Sequence, residues 1–255
     1  MLKKLTFITT CWLLCLQSVS AQKNREPVWK QKQIQGVEKS SDPEPFSLSY
    51  LIDYPVPARL DTTLHAPFNR LVGRKICELL YTYLGDENQP LCCDPRYCIK
   101  TTTRKYVTQD LASFPGQEHS FNLEVKLMHT MGHYSSFSLN VYAYLGGAHG
   151  TGLQDYLTID MSTMQEIKLE ALVIDMKKLT RIAENRFRQE KKLSSTPSLA
   201  PYQFKNDQFY LPDSWGLGPQ GLVFTYQAYA IVSYTEGPVS FTIPYMDLKG
   251  VLRNE

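Results

Sequence analysis

The 255-residue sequence has little excess charge of either sign: 27 Lys and Arg stand against 25 Asp and Glu. Nucleic-acid binding rests on a basic surface, so that class of partner is not expected. Low-complexity and coiled-coil patterns are absent, and the 15 Pro and 14 Gly are spread through a chain that is 43% hydrophobic and 20% charged. Those values belong to globular proteins with a packed core. Long apolar runs are also absent: the longest, Leu5 to Leu16, falls short of the ~20 residues a bilayer-crossing helix needs. No membrane span is therefore expected after it. The short signatures of the commonest catalytic sites, G-x-S-x-G, the Walker loop and H-E-x-x-H, do not occur.

The first 21 residues contain no acid, and they order Lys3 and Lys4, the apolar stretch, and Val19-Ser20-Ala21 as a secretory signal does. Cleavage before Gln22 would remove two of the 27 basic residues, leaving 25 against 25 acidic. The expected location is periplasmic or extracellular, with the mature chain soluble. Residues 22–44 are polar and end in Asp42-Pro43-Glu44-Pro45, which reads as a leader or a weak first strand.

Export leaves Cys77, Cys92, Cys93 and Cys98 in a compartment that permits disulfides. A bridge between the neighbours Cys92 and Cys93 would distort the peptide between them. Two bridges are expected instead, one of that pair to Cys98 and the other to Cys77. The C-C-x4-C spacing lacks the paired C-x2-C of structural zinc sites, so neither metal nor cofactor is expected.

Periodicity predicts an α+β protein built from two small strand-helix-strand modules, 45–140 and 141–250, with two main helices and antiparallel sheets. Phe46, Leu48 and Tyr50 alternate as a strand that Tyr54-Pro55-Val56-Pro57 should stop. Leu64 to Tyr83 carries one apolar helix face, with Asp61 or Thr62 to cap it and Gly85 to end it. Phe121 to Leu127 and Phe137 to Leu145 predict a hairpin turning at Met131-Gly132. After the break at 146–152, Tyr156 to Asp160 resumes as strand, and a second helix carries Leu172, Met176, Leu179, Ala183 and Phe187 inward. Its opposite side bears Lys177, Lys178, Arg181, Arg186, Arg188, Lys191 and Lys192, a solvated face or a docking patch for an acidic partner. Phe209 and Leu211 suggest a short strand. Leu222 to Tyr234 and Val239 to Tyr245 should pair across Glu236-Gly237-Pro238.

No constellation of catalytic residues stands out. The glycines at 146, 147, 150 and 152 lead into a strand, whereas a phosphate-binding loop must lead into a helix. His129 and His133 flank the predicted hairpin turn and read as turn residues, with no metal assigned. His149 is flanked by small residues that let backbone approach another molecule, so it either braces the break or contacts a ligand, with a partner such as Asp155 for acid-base work. Tyr142 and Tyr144, with Tyr226, Tyr229 and Tyr234, offer rings for a groove suited to sugars or a protein surface, or for the core.

Tyr142-Ala143-Tyr144-Leu145-Gly146-Gly147-Ala148-His149-Gly150, Gly221-Leu222-Val223-Phe224 with Tyr226, Tyr229, Tyr234 and Gly237, and Ile243-Pro244-Tyr245 with Leu248 together resemble a bacterial extracytoplasmic domain of unknown function. That domain occurs in the lysozyme-sensing anti-sigma factor RsiV and in the non-catalytic region of the peptidoglycan deacetylase PdaC. Tyr50 to Asn69 and Ser135 to Val141 resemble the small α+β domain that commonly precedes it. The resemblance covers roughly Phe46 to Gly250 and implies a non-catalytic envelope binding or sensor-type module. It points to a lysozyme-like protein or a cell-wall glycan as partner, with Tyr144, Gly146, Gly147, His149, Gly150, Tyr229, Tyr234 and Tyr245 as candidate ligand-binding residues. The anti-sigma factor's membrane span and the deacetylase's zinc motif have no counterpart here, so neither transmembrane signalling nor zinc chemistry is implied. The competing reading is an envelope enzyme acting on glycan or peptide with His149 as acid or base.

Overall fold

A computed structural model describes residues 27–41, 46–85, 92–108, 117–193 and 197–253. The signal-like segment 1–21, its cleavage point at Gln22 and residues 42–45 lie outside the described residues. The fold is α+β, with strands gathered into one six-stranded and one three-stranded sheet.

The first sheet runs in the order β1 (Val28–Lys39), β2 (Ser47–Arg59), β3 (Glu118–Met131), β4 (Tyr134–Tyr144), β5 (Thr151–Asp160), β6 (Gln165–Glu166). The polar stretch expected as a leader or weak strand is thus a twelve-residue edge strand. Its lysines and glutamines suit an edge, and Trp29 fastens it to the core, 4.4 Å from Phe68 and 5.4 Å from Phe137 between ring centroids. The two prolines expected to stop β2 lie inside it instead. β3 accompanies β2 only from Ser47 to Asp53, so Pro55 and Pro57 face a partner strand on the β1 side alone. A missing N–H is tolerated there, as on any sheet edge.

Parallel β2 and β3 need a crossover, supplied by α1 (Thr62–Leu84) and α2 (Pro95–Thr108). α1 starts where Asp61 accepts the N–H of Thr63 and stops at Gly85, whose φ of 73° suits glycine. α2 was not expected after the cysteine segment. It carries Cys98 onto Cys77 of α1, and these two form a disulfide with Cα atoms 5.6 Å apart. Cys92 and Cys93 remain thiols, which corrects the expectation of two bridges. Cys77 and Cys98 are buried where the helices meet, whereas Cys92 and Cys93 precede α2 in a half-buried segment.

The second unit contains α3 (Leu169–Leu172), α4 (Met176–Glu190) and the sheet β7 (Ser214–Leu217), β8 (Gly221–Tyr226), β9 (Val239–Pro244). No strand forms at Phe209 and Leu211, and β8 ends at Tyr226 rather than Tyr234. Phe209 instead joins Phe204, Tyr226 and Phe241 around Phe187 of α4, so its apolar character serves the core without a ladder. The first core ends with Met164 and the second begins with Leu169. A division at 140/141 falls inside β4.

The two units are stitched by side chains. Ser136 Oγ of β4 accepts the N–H of Leu217 of β7 at 2.9 Å and lies 2.6 Å from Thr158 Oγ1. The Tyr156 hydroxyl lies 2.8 Å from Thr225 Oγ1. On α4, Arg186 reaches the Thr242 carbonyl and Glu190, and Arg188 reaches Glu184 and the Pro197 and Ser198 carbonyls; Lys191, which caps the helix, reaches the Ser240 carbonyl. Part of the expected basic face therefore fixes the helix to its own unit.

Candidate functional site

Gly146 and Gly147 leave β4 with φ of 88° and 89°, values that L side chains avoid. The turn is then tied back: the Gly147 N–H donates to Gln117 Oε1 at 3.1 Å, and the Tyr144 hydroxyl lies 2.9 Å from the Gly147 carbonyl. These contacts carry Ala148 and His149 into solvent and return Gly150 to the interior. A side chain at Gly150 would collide with the ring of Tyr142, 2.6 Å from its Cζ and Oη.

The Gly150 carbonyl is the anchor of the site. It accepts a hydrogen bond from the Tyr234 hydroxyl and lies 3.1 Å from His149 Nδ1. The His149 ring stacks on Tyr234 with centroids 4.2 Å apart and planes 24° apart, and Tyr229 stacks on Tyr234 at 5.5 Å and 28°. Tyr229 is 68% exposed and Tyr142 is 50% exposed. Tyr229 also holds a φ of 68°, a left-handed conformation that costs a non-glycine residue ~1–2 kcal/mol. Three stacked rings, a fourth ring, that of Tyr142, over Gly150, and a strained backbone thus occupy one patch of surface.

Of the eight residues expected at a site, His149, Gly150, Tyr229 and Tyr234 meet directly, and Tyr144, Gly146 and Gly147 shape the turn that presents them. Tyr245 lies apart from them. Its hydroxyl donates to the Gly218 carbonyl at 2.8 Å, its ring lies 6.3 Å from His129, and burial pushes its pKa up to about 12. Tyr226 is core, its phenol pushed far up by desolvation. The pairing of His149 with Asp155 does not form. Asp155 Oδ1 accepts from Ser214 Oγ at 2.5 Å instead. His133 lies 3.9 Å from Asp160 beside the hairpin turn. The sulfurs of Cys77, Cys92 and Cys98 lie within 4.8 Å of one another, two of them joined as the disulfide.

Gln117 and Gln227 carry no motif and escape sequence reading, yet both shape the site. Gln117 holds the glycine turn. Gln227 binds Gln154 of β5 through both ends of its carboxamide, N–H to Oε1 at 3.1 Å and Nε2 to C=O at 2.6 Å. The segment after Gln227 supplies Tyr229 and Tyr234, so this clamp positions the stack. Beside it, a crevice of about 1050 Å³ opens between β5 and the second unit, lined among others by Tyr156, Tyr210, Trp215 and Gln227.

Among curated proteins no relative matches the chain. Several solved structures resemble it, two of them as follows. A member of the DUF3298 family from Bacteroides fragilis NCTC 9343 superposes with a TM-score of 0.66 at 20% identity, over 89% of this chain and 95% of that one. A DUF3298 family protein from Pseudomonas aeruginosa PAO1 gives 0.61 at 16% identity, over 89% and 95%. Residues 172–246, which hold Tyr229, Tyr234 and Ile243-Pro244-Tyr245 but begin after the Gly146–Gly150 turn, match the family model described as protein of unknown function (DUF3298).

Proposed function

We propose that the chain is an exported binding module of the bacterial cell envelope that recognises a peptidoglycan-type glycan on the Tyr229–Tyr234–His149 stack. The observation that carries this reading is the exposure of His149 and Tyr229, both stacked on half-buried Tyr234, beside Tyr142. Aromatic faces pack against the apolar C–H faces of pyranose rings, and the hydroxyl and imidazole edges supply polar contacts at the rim. The rings are held in place before any ligand arrives, by the Gly150 carbonyl and the Gln227 clamp, which lowers the entropy lost on binding. A signal-like start and the Cys77–Cys98 disulfide support an oxidising compartment.

The resemblance to a lysozyme-sensing domain makes a lysozyme-like muramidase the other partner to test. Calorimetric titration with a disaccharide-peptide muropeptide and with a lysozyme, followed by chemical analysis of the recovered ligand, decides among the readings. Binding of the muropeptide without release of acetate, reducing ends or free amines is expected. Turnover would overturn the binding-module reading in favour of an enzyme using His149, and binding of lysozyme alone would replace the glycan by a protein partner.

A further inference from the structure

The crevice contains an unfilled position of the first sheet. β6 accompanies β5 only at Ile159 and Asp160, so most of β5 forms the sheet's edge. The backbone of Gln154 turns toward that edge, where the Gln227 carboxamide makes the two bonds that a residue of a neighbouring strand would make. Four residues on, the Thr158 carbonyl faces the same way and accepts the N–H of Ile167 at 2.9 Å. Backbone direction alternates along a strand, so the N–H and C=O of Tyr156 face this edge too, midway between the two filled positions. Among the described residues, nothing bonds the Tyr156 backbone on that side.

We infer that this position binds one residue of a short extended peptide, which makes with Tyr156 the paired bonds that Gln227 makes with Gln154. The reach from Gln154 to Thr158 is ~13 Å at ~3.3 Å per residue, which leaves room for a single paired residue. The rest of the peptide lies in the crevice beside Tyr210 and Trp215, which line it with Tyr156. Four carboxylates, Asp155, Glu166, Glu170 and Asp213, line the crevice against the ammonium groups of Lys75 and Lys168, so a cationic side chain is favoured. This inference does not rest on glycan binding. Saccharide binding without peptide binding, or the reverse, separates the two.

The test is amide hydrogen exchange by NMR on the whole protein, with N-acetyl-Ala-Lys-Ala-amide as probe. In the free protein the Tyr156 amide should exchange about tenfold or more faster than that of Leu157, which faces β4, and saturating peptide should slow it by a similar factor. The same peptide methylated on the backbone nitrogen of lysine should fail to protect it, and a glutamate in place of lysine should bind several-fold more weakly. In Gln227→Ala the Gln154 amide should also become fast-exchanging, then be protected by the longer N-acetyl-Ala-Lys-Ala-Ala-Ala-amide. A Tyr156 amide already as slow as Leu157 in the free protein, equal binding of the methylated peptide, or no protection at millimolar peptide would overturn the inference.

Discussion

His149 lies flat against Tyr234, and both rings are anchored on one carbonyl, that of Gly150. A brace and the proposed ligand contact thus fall on one exposed imidazole. His149→Ala removes a stacking partner and a bond at a wetted site, so the loss of stability should be small, below about 1 kcal/mol. Tyr229→Ala removes an exposed ring from a left-handed residue and should be similarly mild. Both variants should weaken muropeptide binding about tenfold or more, as loss of a stacked ring does. Thermal melts and titrations of the two variants check this; a large fall in melting temperature with unchanged affinity would make the stack a structural brace.

The disulfide closes a separation of 21 residues, for which restriction of the unfolded chain contributes ~3 kcal/mol. Cys77→Ser should lower the unfolding free energy by about that amount, while Cys93→Ser should leave it nearly unchanged. Peptide mapping without reductant should show Cys77 joined to Cys98, with Cys92 and Cys93 alkylated. A bridge from Cys92 or Cys93 in the wild type would contradict this pairing.

The joint between the two units rests on a buried hydroxyl. Ser136→Ala leaves the Leu217 N–H without its acceptor and should cost ~1–3 kcal/mol, the usual cost of an unsatisfied buried donor. Ser138→Ala, two residues along the same strand, removes only a 3.5 Å contact to the Lys126 carbonyl and should change little. Chemical denaturation of the pair reads the difference, and equal effects would rule out the stitch.

Burial raises Tyr106 and Tyr245 from 10.0 to about 12. Folding therefore favours their neutral form. The stabilisation is complete below pH ~10, where the unfolded phenol ionises, and disappears as pH rises through the folded value. Stability should fall steeply between those limits, with phenolate absorbance appearing alongside unfolding. Tyr106→Phe should make the fall shallower. An unchanged pH profile in that variant would show that other groups cause the alkaline loss.

Elements whose apolar period was strong were legible: α1 between Asp61 and Gly85, the β3–β4 hairpin turning at Gly132, and α4 with Phe187 inward. What escaped was set by tertiary context. β1 contains mostly Lys, Gln and Glu because an edge strand needs few apolar residues, and only Trp29 and Ile34 betray it. α2 is hidden because it buries Thr102 and Thr103 among fewer apolar residues, and without it the pairing of Cys98 with Cys77 has no signal. At the site, local turn chemistry exposed the role of Gly146 and Gly147. Gln227, 73 residues from Gln154, and Ser214, 59 from Asp155, depend on contacts that no spacing in the chain encodes.

The most direct test of the central claim is a titration of wild type and the double variant Tyr229→Ala/Tyr234→Phe with one purified disaccharide-peptide muropeptide, with mass analysis of the ligand afterwards. Saturable binding by wild type, its loss in a double variant that still melts cooperatively, and an unaltered ligand are the predicted result. Equal binding by both proteins, or a ligand cleaved or deacetylated by wild type, would contradict it.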